Sequence, residues 1–174
     1  MDRKLFILPM LLLACGTPEP EATTEIPTQE AEKETGAGRT IDLSQHDVPL
    51  AVHIDPQLLG SDSATVTWND AIGRLEVDAG ERFRITITEE EGDMERLKAD
   101  LDRDMLRKNT IIKETPGLLI YRSEFPDETI AFVHFYRIIT HAGRTFVVQS
   151  HDQGRFNQAD IERMANAVAP AESV

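Results

Sequence analysis

The chain has 174 residues, and its 31 acidic side chains outnumber its 18 basic ones, which gives a formal net charge of −13. A surface this acidic repels phosphate backbones and anionic head groups, so the composition argues against nucleic acid as a partner. The single cysteine, Cys15, excludes a disulfide within one chain, and the folded part must therefore rest on its hydrophobic core. The sequence contains no motif typical of a catalytic or cofactor-binding site, so we expect neither a metal nor a cofactor.

The amino-terminal segment has the pattern of a secretory signal peptide. A basic start precedes an apolar run over residues 5–13, and the small residue Ala14 then precedes Cys15. The run is too short to span a bilayer, which needs about 20 apolar residues. The pattern predicts export, with residues 1–14 as the signal peptide.

The end of this segment, Leu12-Leu13-Ala14-Cys15, resembles the lipobox of bacterial lipoproteins. In that family an aliphatic residue, a tolerant position and a small residue precede the cysteine. The resemblance implies diacylglyceryl transfer to the Cys15 thiol, cleavage before Cys15, and acylation of the new amino terminus, for example with palmitate. Each buried methylene adds about 0.8 kcal/mol of membrane affinity, so several acyl chains would anchor the protein firmly. The alternative is an ordinary signal peptide that happens to end near a cysteine.

The residue after the cysteine bears on which membrane holds the anchor. Enterobacterial lipoproteins retained in the inner membrane carry aspartate at this position, whereas this chain has Gly16. We therefore expect a lipid-anchored protein of the cell envelope, in the outer membrane.

Residues 15–40 comprise the lipidated cysteine and a linker rich in proline, glutamate and threonine. Ile26 is the only large apolar residue between Gly16 and Thr40, so this segment cannot offset the entropy lost on ordering. We expect a disordered tether that separates the folded domain from the membrane.

Residues 41–174 have the pattern of a single α+β domain with a mainly antiparallel sheet. A hairpin is predicted around Ala79-Gly80-Glu81, because apolar and polar residues alternate along both of its arms. The segment 129–140 is apolar on both faces, which indicates a central strand covered on both sides. Further strands are predicted at residues 48–54, 64–68, 110–114, 118–123 and 145–149.

Two segments have helical periodicity instead. In the first, residues 93–108, Asp93 is the predicted N-cap, Asn109 the predicted stop, and Met94, Leu97, Leu101, Met105 and Leu106 form the apolar stripe. In the second, residues 158–169, Asn157 is the predicted N-cap and Asp160 completes a near capping box. The outline of strands and two helices is similar to the αβα sandwich of the PsbP/Mog1 type.

Acidic and histidine residues were the first candidates for a metal site. Asp100, Asp102 and Asp104 have the opening spacing of a calcium loop, but Met105 and Ile111 occupy the positions where an EF-hand needs glycine and glutamate. A denser cluster, residues 89–91 with Asp93, suits a helix N-terminus without any ligand. None of the five histidines has the spacing of a zinc motif. We therefore assign no metal site.

Two residues of the apolar strand 129–140 carry unusual chemistry. His134 is expected to be a hydrogen-bonded core residue, since it lies among apolar neighbours. Arg137 also has apolar neighbours on its face. An unpaired buried charge is costly, so Arg137 should either pair with a buried carboxylate or meet an anionic ligand.

These features favour a tethered, non-enzymatic binding or interaction module with a partner protein in the envelope. The alternative is an envelope hydrolase or a small-ligand-binding protein whose site is assembled from distant residues. A deep pocket lined by polar side chains would favour the alternative. A smooth surface with an apolar or charged patch would favour the interaction module.

Overall fold

The computed structural model describes residues 38–59, 64–126 and 129–171. The predicted signal peptide, Cys15 and the linker as far as residue 37 lie outside the described residues, as do Asp127-Glu128 and the tail 172–174. What the sequence indicates for those segments stays a prediction.

The described residues form ten strands and two α-helices. The strands are β1 (Arg39–Asp42), β2 (Leu50–Ile54), β3 (Thr65–Asn69), β4 (Arg74–Asp78), β5 (Arg84–Glu89), β6 (Lys108–Thr115), β7 (Leu118–Glu124), β8 (Ala131–His141), β9 (Arg144–Ser150) and β10 (Val168–Pro170). The helices are α1 (Met94–Arg103) and α2 (Gln158–Ala167), and one short 3-10 turn spans Ser44–His46. β1 begins two residues before Ile41, the predicted start of the domain.

The strands form two antiparallel sheets, which confirms the predicted α+β class with a mainly antiparallel sheet. The larger sheet has the order β3-β4-β5-β9-β8-β7-β6, and the smaller one has the order β1-β2-β10. In the larger sheet every pair of neighbours is also consecutive along the chain, except β5 and β9. Their pairing, from Glu89 opposite Phe146 to Ile85 opposite Ser150, joins a three-stranded meander to a four-stranded one.

The predicted hairpin is confirmed as β4 and β5. Leu75 pairs with Ile87 and Val77 pairs with Ile85, and all four side chains are buried. Gly80 has a φ of 106°, a value that glycine adopts without strain, which explains its place in the turn.

One face of the larger sheet is covered by α2 and by the smaller sheet. The largest hydrophobic cluster lies there, and it contains Phe135 and Ile139 of β8, Phe146 of β9, and Ile161 and Met164 of α2. Tyr136 of β8 belongs to a second cluster on the other face. The prediction that this strand is covered on both sides is therefore confirmed for the part of β8 around Tyr136, but not for the part around Phe132 and His134.

The N-terminus of α2 is capped as predicted. The Asn157 side-chain oxygen accepts a hydrogen bond from the Asp160 backbone N–H at 2.9 Å, and its amide donates to the Asp160 carboxylate at 2.8 Å. The helix ends at Ala167 and not at Ala169, so its predicted end was wrong. Val168–Pro170 instead adopts an extended conformation, because its backbone pairs with β2.

Asp160 also connects α2 to the turn between β4 and β5. Its carboxylate is only 3 % exposed and accepts hydrogen bonds from the Arg82 guanidinium, one of them at 3.0 Å from Nε. The hydrogen bond and the charge of Asp160 raise the pKa of Arg82 above its ordinary value. This ion pair joins two elements that are far apart in sequence.

Helix α1 covers the other face of the larger sheet. Its apolar residues Met94, Leu97 and Leu101 pack against the cluster formed by Leu119, Tyr136 and Val147. The Asp93 side chain accepts a hydrogen bond from the Arg96 N–H at 2.8 Å, so the predicted N-cap is confirmed.

The predicted carboxyl end of α1 was wrong. The helix ends at Arg103, and the next residue, Asp104, has an extended backbone. Its carboxylate accepts hydrogen bonds from the backbone N–H groups of Leu106 at 2.9 Å and Arg107 at 3.1 Å. An aspartate side chain that binds nearby N–H groups competes with the helix for them, which explains the early end. Met105 and Leu106, predicted to be buried, are 97 % and 75 % exposed.

Candidate ligand-binding pocket

A pocket of about 320 Å³ lies on the α1 face of the larger sheet, next to the segment that follows α1. Because the helix ends at Arg103, its apolar stripe stops at Leu101 and the adjoining parts of β7, β8 and β9 stay open to solvent. The side chains that line this opening include Arg107, Tyr121, Phe125, Phe132, His134 and Asp152. We call it the aromatic pocket.

Helix α1 is held in place at both ends, which fixes its position beside the pocket. At its start the Asp93 N–H donates to the Tyr136 hydroxyl at 3.1 Å. Gly92 precedes it with a φ of 71°, and a Cβ there would lie 2.8 Å from the Val147 side chain. At its end the Asn109 amide donates to the Leu101 carbonyl at 2.8 Å. Asn109, predicted as the helix stop, thus caps the helix from strand β6.

Four rings in contact form the wall of the aromatic pocket. Tyr121 of β7 lies directly opposite His134 of β8, and their ring centres are 5.3 Å apart. The Phe132 ring is nearly parallel to His134, with centres 6.4 Å apart, and Phe125 meets Phe132 edge to face at 6.2 Å. Aromatic pairs favour such offset or edge-to-face arrangements. The rings therefore form a preformed surface on which a flat molecule can stack.

The two titratable rings of the pocket are uncharged at neutral pH. Burial lowers the pKa of His134, the positive charge of Arg107 lowers it further, and the negative charge of Asp152 partly opposes both effects. Burial likewise raises the pKa of the Tyr121 hydroxyl. Both side chains can thus donate or accept a hydrogen bond without carrying a charge.

Arg107 is the best-positioned charge at the rim of the pocket. Its Nε donates to the Asp104 carboxylate at 2.6 Å, and Asp104 is held in turn by the two backbone N–H groups described above. The backbone hydrogen bond from Leu106 lowers the pKa of Asp104 most, and the hydrogen bonds from the side chain and the backbone N–H of Arg107 lower it further. The carboxylate is therefore ionised at neutral pH and fixes the direction of the guanidinium.

A serine and a histidine of the pocket approach each other at a distance longer than that of a typical nucleophile–base pair. The Ser150 Oγ lies 3.5 Å from His134 Nδ1 and is almost fully buried. A nucleophile and its base are normally about 2.6–3.2 Å apart, and the hydroxyl must be reachable by substrate. The arrangement suits binding better than covalent catalysis.

Of the five histidines that the sequence analysis considered, only His134 lines the aromatic pocket. Its predicted hydrogen bond is present, to Ser150 Oγ, but the ring is only partly buried and lies at the pocket wall instead of in the core. His151 is buried elsewhere, where its Nδ1 accepts a hydrogen bond from the Gln153 N–H at 3.1 Å. The exposed His53 contacts Thr40 Oγ1 at 2.9 Å, and His46 and His141 are partly exposed.

Arg137 contacts neither a carboxylate nor a ligand site. Its Nη1 donates to the carbonyl oxygens of Ala165 and Val168 at the end of α2, the latter at 3.0 Å. Burial lowers its pKa below the ordinary arginine value. A cation is favourable at a helix carboxyl end, where several carbonyls lack an intrahelical partner. Both alternatives raised for this residue were therefore wrong.

Several of the acidic candidates make structural contacts in the described part of the chain. Glu89 accepts hydrogen bonds from Arg144 at 2.8 and 2.6 Å, which lowers its pKa. Asp100 and Asp102 lie on α1, whereas Asp104 forms the turn beyond it. Within residues 38–59, 64–126 and 129–171, no three potential metal ligands converge. In the same residues no helix is long and apolar enough to cross a membrane.

The aromatic pocket was not predicted from the sequence. Phe132, His134 and Tyr136 alternate on β8, and this pattern was interpreted as two covered faces. The interpretation holds for Tyr136, which α1 covers, and fails for Phe132 and His134, which lie beyond its end. Tyr136 is covered and the other two residues are not, because α1 ends early. The sequence feature that indicates this early end is the Asp104 side chain.

The chain matches no family model, and no curated protein or solved structure matches it either. A function must therefore be argued from the pocket and the surface of this chain alone.

Proposed function

We propose that this protein is a lipid-anchored, non-enzymatic binding protein of the cell envelope, whose domain binds a small ligand in the aromatic pocket. The observation that carries the proposal is the row of four rings that α1 leaves uncovered. Ligand pockets are typically concave, mostly apolar and equipped with a few polar groups that orient the ligand. The aromatic pocket has this composition, and its volume of about 320 Å³ suits a small molecule.

The proposed anchor is the diacylglyceryl group on Cys15, with the linker as a spacer. A tether of this kind raises the effective concentration of the domain near a membrane-bound partner, to about the millimolar range for short flexible linkers. Cys15→Ser should remove the lipid acceptor and release the protein from the membrane fraction. Retention of this variant in membranes washed with high salt would contradict the proposal.

A second candidate function is contact with another envelope protein. Met105 and Leu106 are adjacent, large, apolar and exposed, and such side chains are unusual on a surface that meets only water. Capture of an envelope protein by the full chain, but not by a variant with Met105→Ser and Leu106→Ser, would support this function.

Ligand-detected NMR on the full-length protein can test the main proposal. A library of small aromatic compounds should contain binders whose signal depends on the pocket. Phe132→Ala should abolish this binding, because it removes the central ring of the row. Ile72→Ala, which truncates an exposed residue between β3 and β4, should leave binding unchanged. Binders that respond equally to both variants would contradict the proposal.

A further inference from the structure

Two arginines and two aspartates lie at the rim of the aromatic pocket, in a chain whose net charge is −13. Arg107 lines the pocket, and the guanidinium carbon of Arg155 lies 6.0 Å from the centre of the Phe132 ring. The acidic residue of the lining, Asp152, is 76 % exposed. Exposed charges are strongly screened by water and salt, so Asp152 and the exposed Arg155 both act weakly, and the charged group that a ligand would contact directly is Arg107.

The Arg107 guanidinium has donor groups that its contact with Asp104 does not use. Its Nε is engaged by Asp104, whose carboxylate is only 13 % exposed. Among the described residues, the two Nη atoms of Arg107 make no hydrogen bond. Asp104 also accepts two backbone N–H groups, so its negative charge is shared among three donors. A guanidinium held in this way can still donate two parallel hydrogen bonds to a second carboxylate.

The remaining groups at the pocket add no negative charge near Arg107. His134 and Tyr121 are neutral, and Gln149, Ser123 and Ser150 are polar without charge. The Ser123 hydroxyl already contacts the Asn109 side chain at 2.6 Å. An incoming anion therefore meets ring faces and neutral dipoles on one side and Arg107 on the other.

We propose that the aromatic pocket binds a small planar aromatic carboxylate. Its ring stacks against His134 and Phe132, and its carboxylate accepts hydrogen bonds from the Nη atoms of Arg107. The inference rests on the proposed function and adds to it the shape and the charge of the ligand.

Three probes of nearly equal shape separate charge from fit: benzoate, benzamide and benzamidinium, which are anionic, neutral and cationic. Each is titrated into the full-length protein, and its dissociation constant is measured by NMR. Benzoate should bind at least about fivefold more tightly than benzamide, because a hydrogen bond to a charged group is about twice as strong as a neutral one. Benzamidinium should bind most weakly. Acetate, which has no ring, should bind far more weakly than benzoate.

Two arginine variants test the contact with Arg107. Arg107→Gln should weaken benzoate binding about fivefold to tenfold and change benzamide binding less than about twofold. Arg103→Gln is the matched control, because it removes the same charge from the same segment and Arg103 does not line the pocket. It should leave both affinities nearly unchanged. Equal effects of the two variants would show that only the long-range field matters and would overturn the inference.

The outcomes separate this inference from the function on which it rests. If benzamide or benzamidinium binds as tightly as benzoate, and Phe132→Ala abolishes that binding, the ligand class is wrong and the proposed function stands. If none of the three probes binds, or if their binding is insensitive to Phe132→Ala, both are wrong.

Discussion

The two faces of the larger sheet are each covered by a helix of ten residues, yet they differ in how completely they are closed. Five residues of α2 are buried, whereas none of α1 is. The face under α2 also receives the smaller sheet, and its apolar side chains are almost wholly removed from water. The face under α1 has a small apolar cluster and, beyond the end of the helix, the aromatic pocket.

The difference originates in the residues that follow each helix. After α2 the chain continues as β10, which pairs with β2 and keeps Val168 in the core. After α1 the Asp104 side chain forms a polar turn, and Met105 and Leu106 point into solvent. The face under α2 thus contributes most of the buried apolar core. The face under α1 is less completely buried, and its aromatic rings are accessible to a ligand.

The largest expected effect is the difference in stability between alanine variants of two phenylalanines of β8. Phe135 is only 1 % exposed and packs in the core under α2, whereas the partly exposed Phe132 ring forms the wall of the aromatic pocket, which Phe135 also borders. Phe135→Ala should lower the free energy of unfolding by about 3–5 kcal/mol, because it leaves a cavity in a packed core. Phe132→Ala should cost only about 1 kcal/mol, since its ring is already partly hydrated. Urea unfolding followed by circular dichroism measures both values, and similar losses would refute the contrast between the faces.

The next largest expected effect is the difference in stability between alanine variants of two aspartates, Asp160 and Asp104. Asp160→Ala should cost about 2–3 kcal/mol, because it removes the buried carboxylate that accepts hydrogen bonds from the Asn157 amide and from Arg82. Asp104→Ala should cost about 1 kcal/mol, since its turn is close to solvent. It should nevertheless weaken benzoate binding, because Arg107 loses its orienting contact. The same unfolding measurements and an NMR titration test both statements, and a stability loss that is larger for Asp104→Ala would reverse the assignment of roles.

The smallest effect concerns the pH dependence of stability. Tyr121, Arg107, Ser150 and Asp152 surround His134, whose pKa lies below its ordinary value of about 6.5. As the pH falls through about 6.5, the unfolded chain takes up a proton at this residue before the folded chain does, so stability decreases below that pH. His134→Gln should make the loss of stability between about pH 7.5 and about pH 5.5 smaller, by less than about 1 kcal/mol.

His53→Gln serves as the control, because His53 is exposed on the smaller sheet. Urea unfolding at the two pH values gives the comparison. An unchanged or steeper decrease in His134→Gln, relative to this control, would contradict a lowered pKa of His134.

Local patterns in the sequence predicted most of the fold. The β4–β5 hairpin and the caps at Asp93 and Asn157 depend on neighbours a few residues away, and all three are confirmed. The two helix ends were predicted incorrectly, because each depends on a competing interaction. A side chain competes for backbone N–H groups at Asp104, and a distant strand competes for the backbone at Val168. Apolar periodicity continues through both positions and contains no sign of either.

The candidate site was less predictable for the same reason. Arg137 was identified as unusual, but its partners are backbone carbonyls, which no pattern of side chains can indicate. Arg107, Tyr121 and Phe132 come from three separate segments, and the register of β7 against β8 brings Tyr121 beside His134. These residues form an open surface because α1 ends early. A longer α1 would cover them and make them part of the core.

The pairing of β5 with β9 has a consequence for the speed of folding. The two meanders on either side of it can form from local contacts, but this pairing joins residues about 60 positions apart, and such contacts carry a high cost in chain entropy. We therefore expect the encounter of β5 with β9 to limit the folding rate. Until it occurs, β5 and β9 are each paired along one edge only, with β4 and β8, and the other edge of each strand is exposed. Substitutions at this junction, such as Ile87→Val, should slow refolding, whereas substitutions within either meander should chiefly accelerate unfolding.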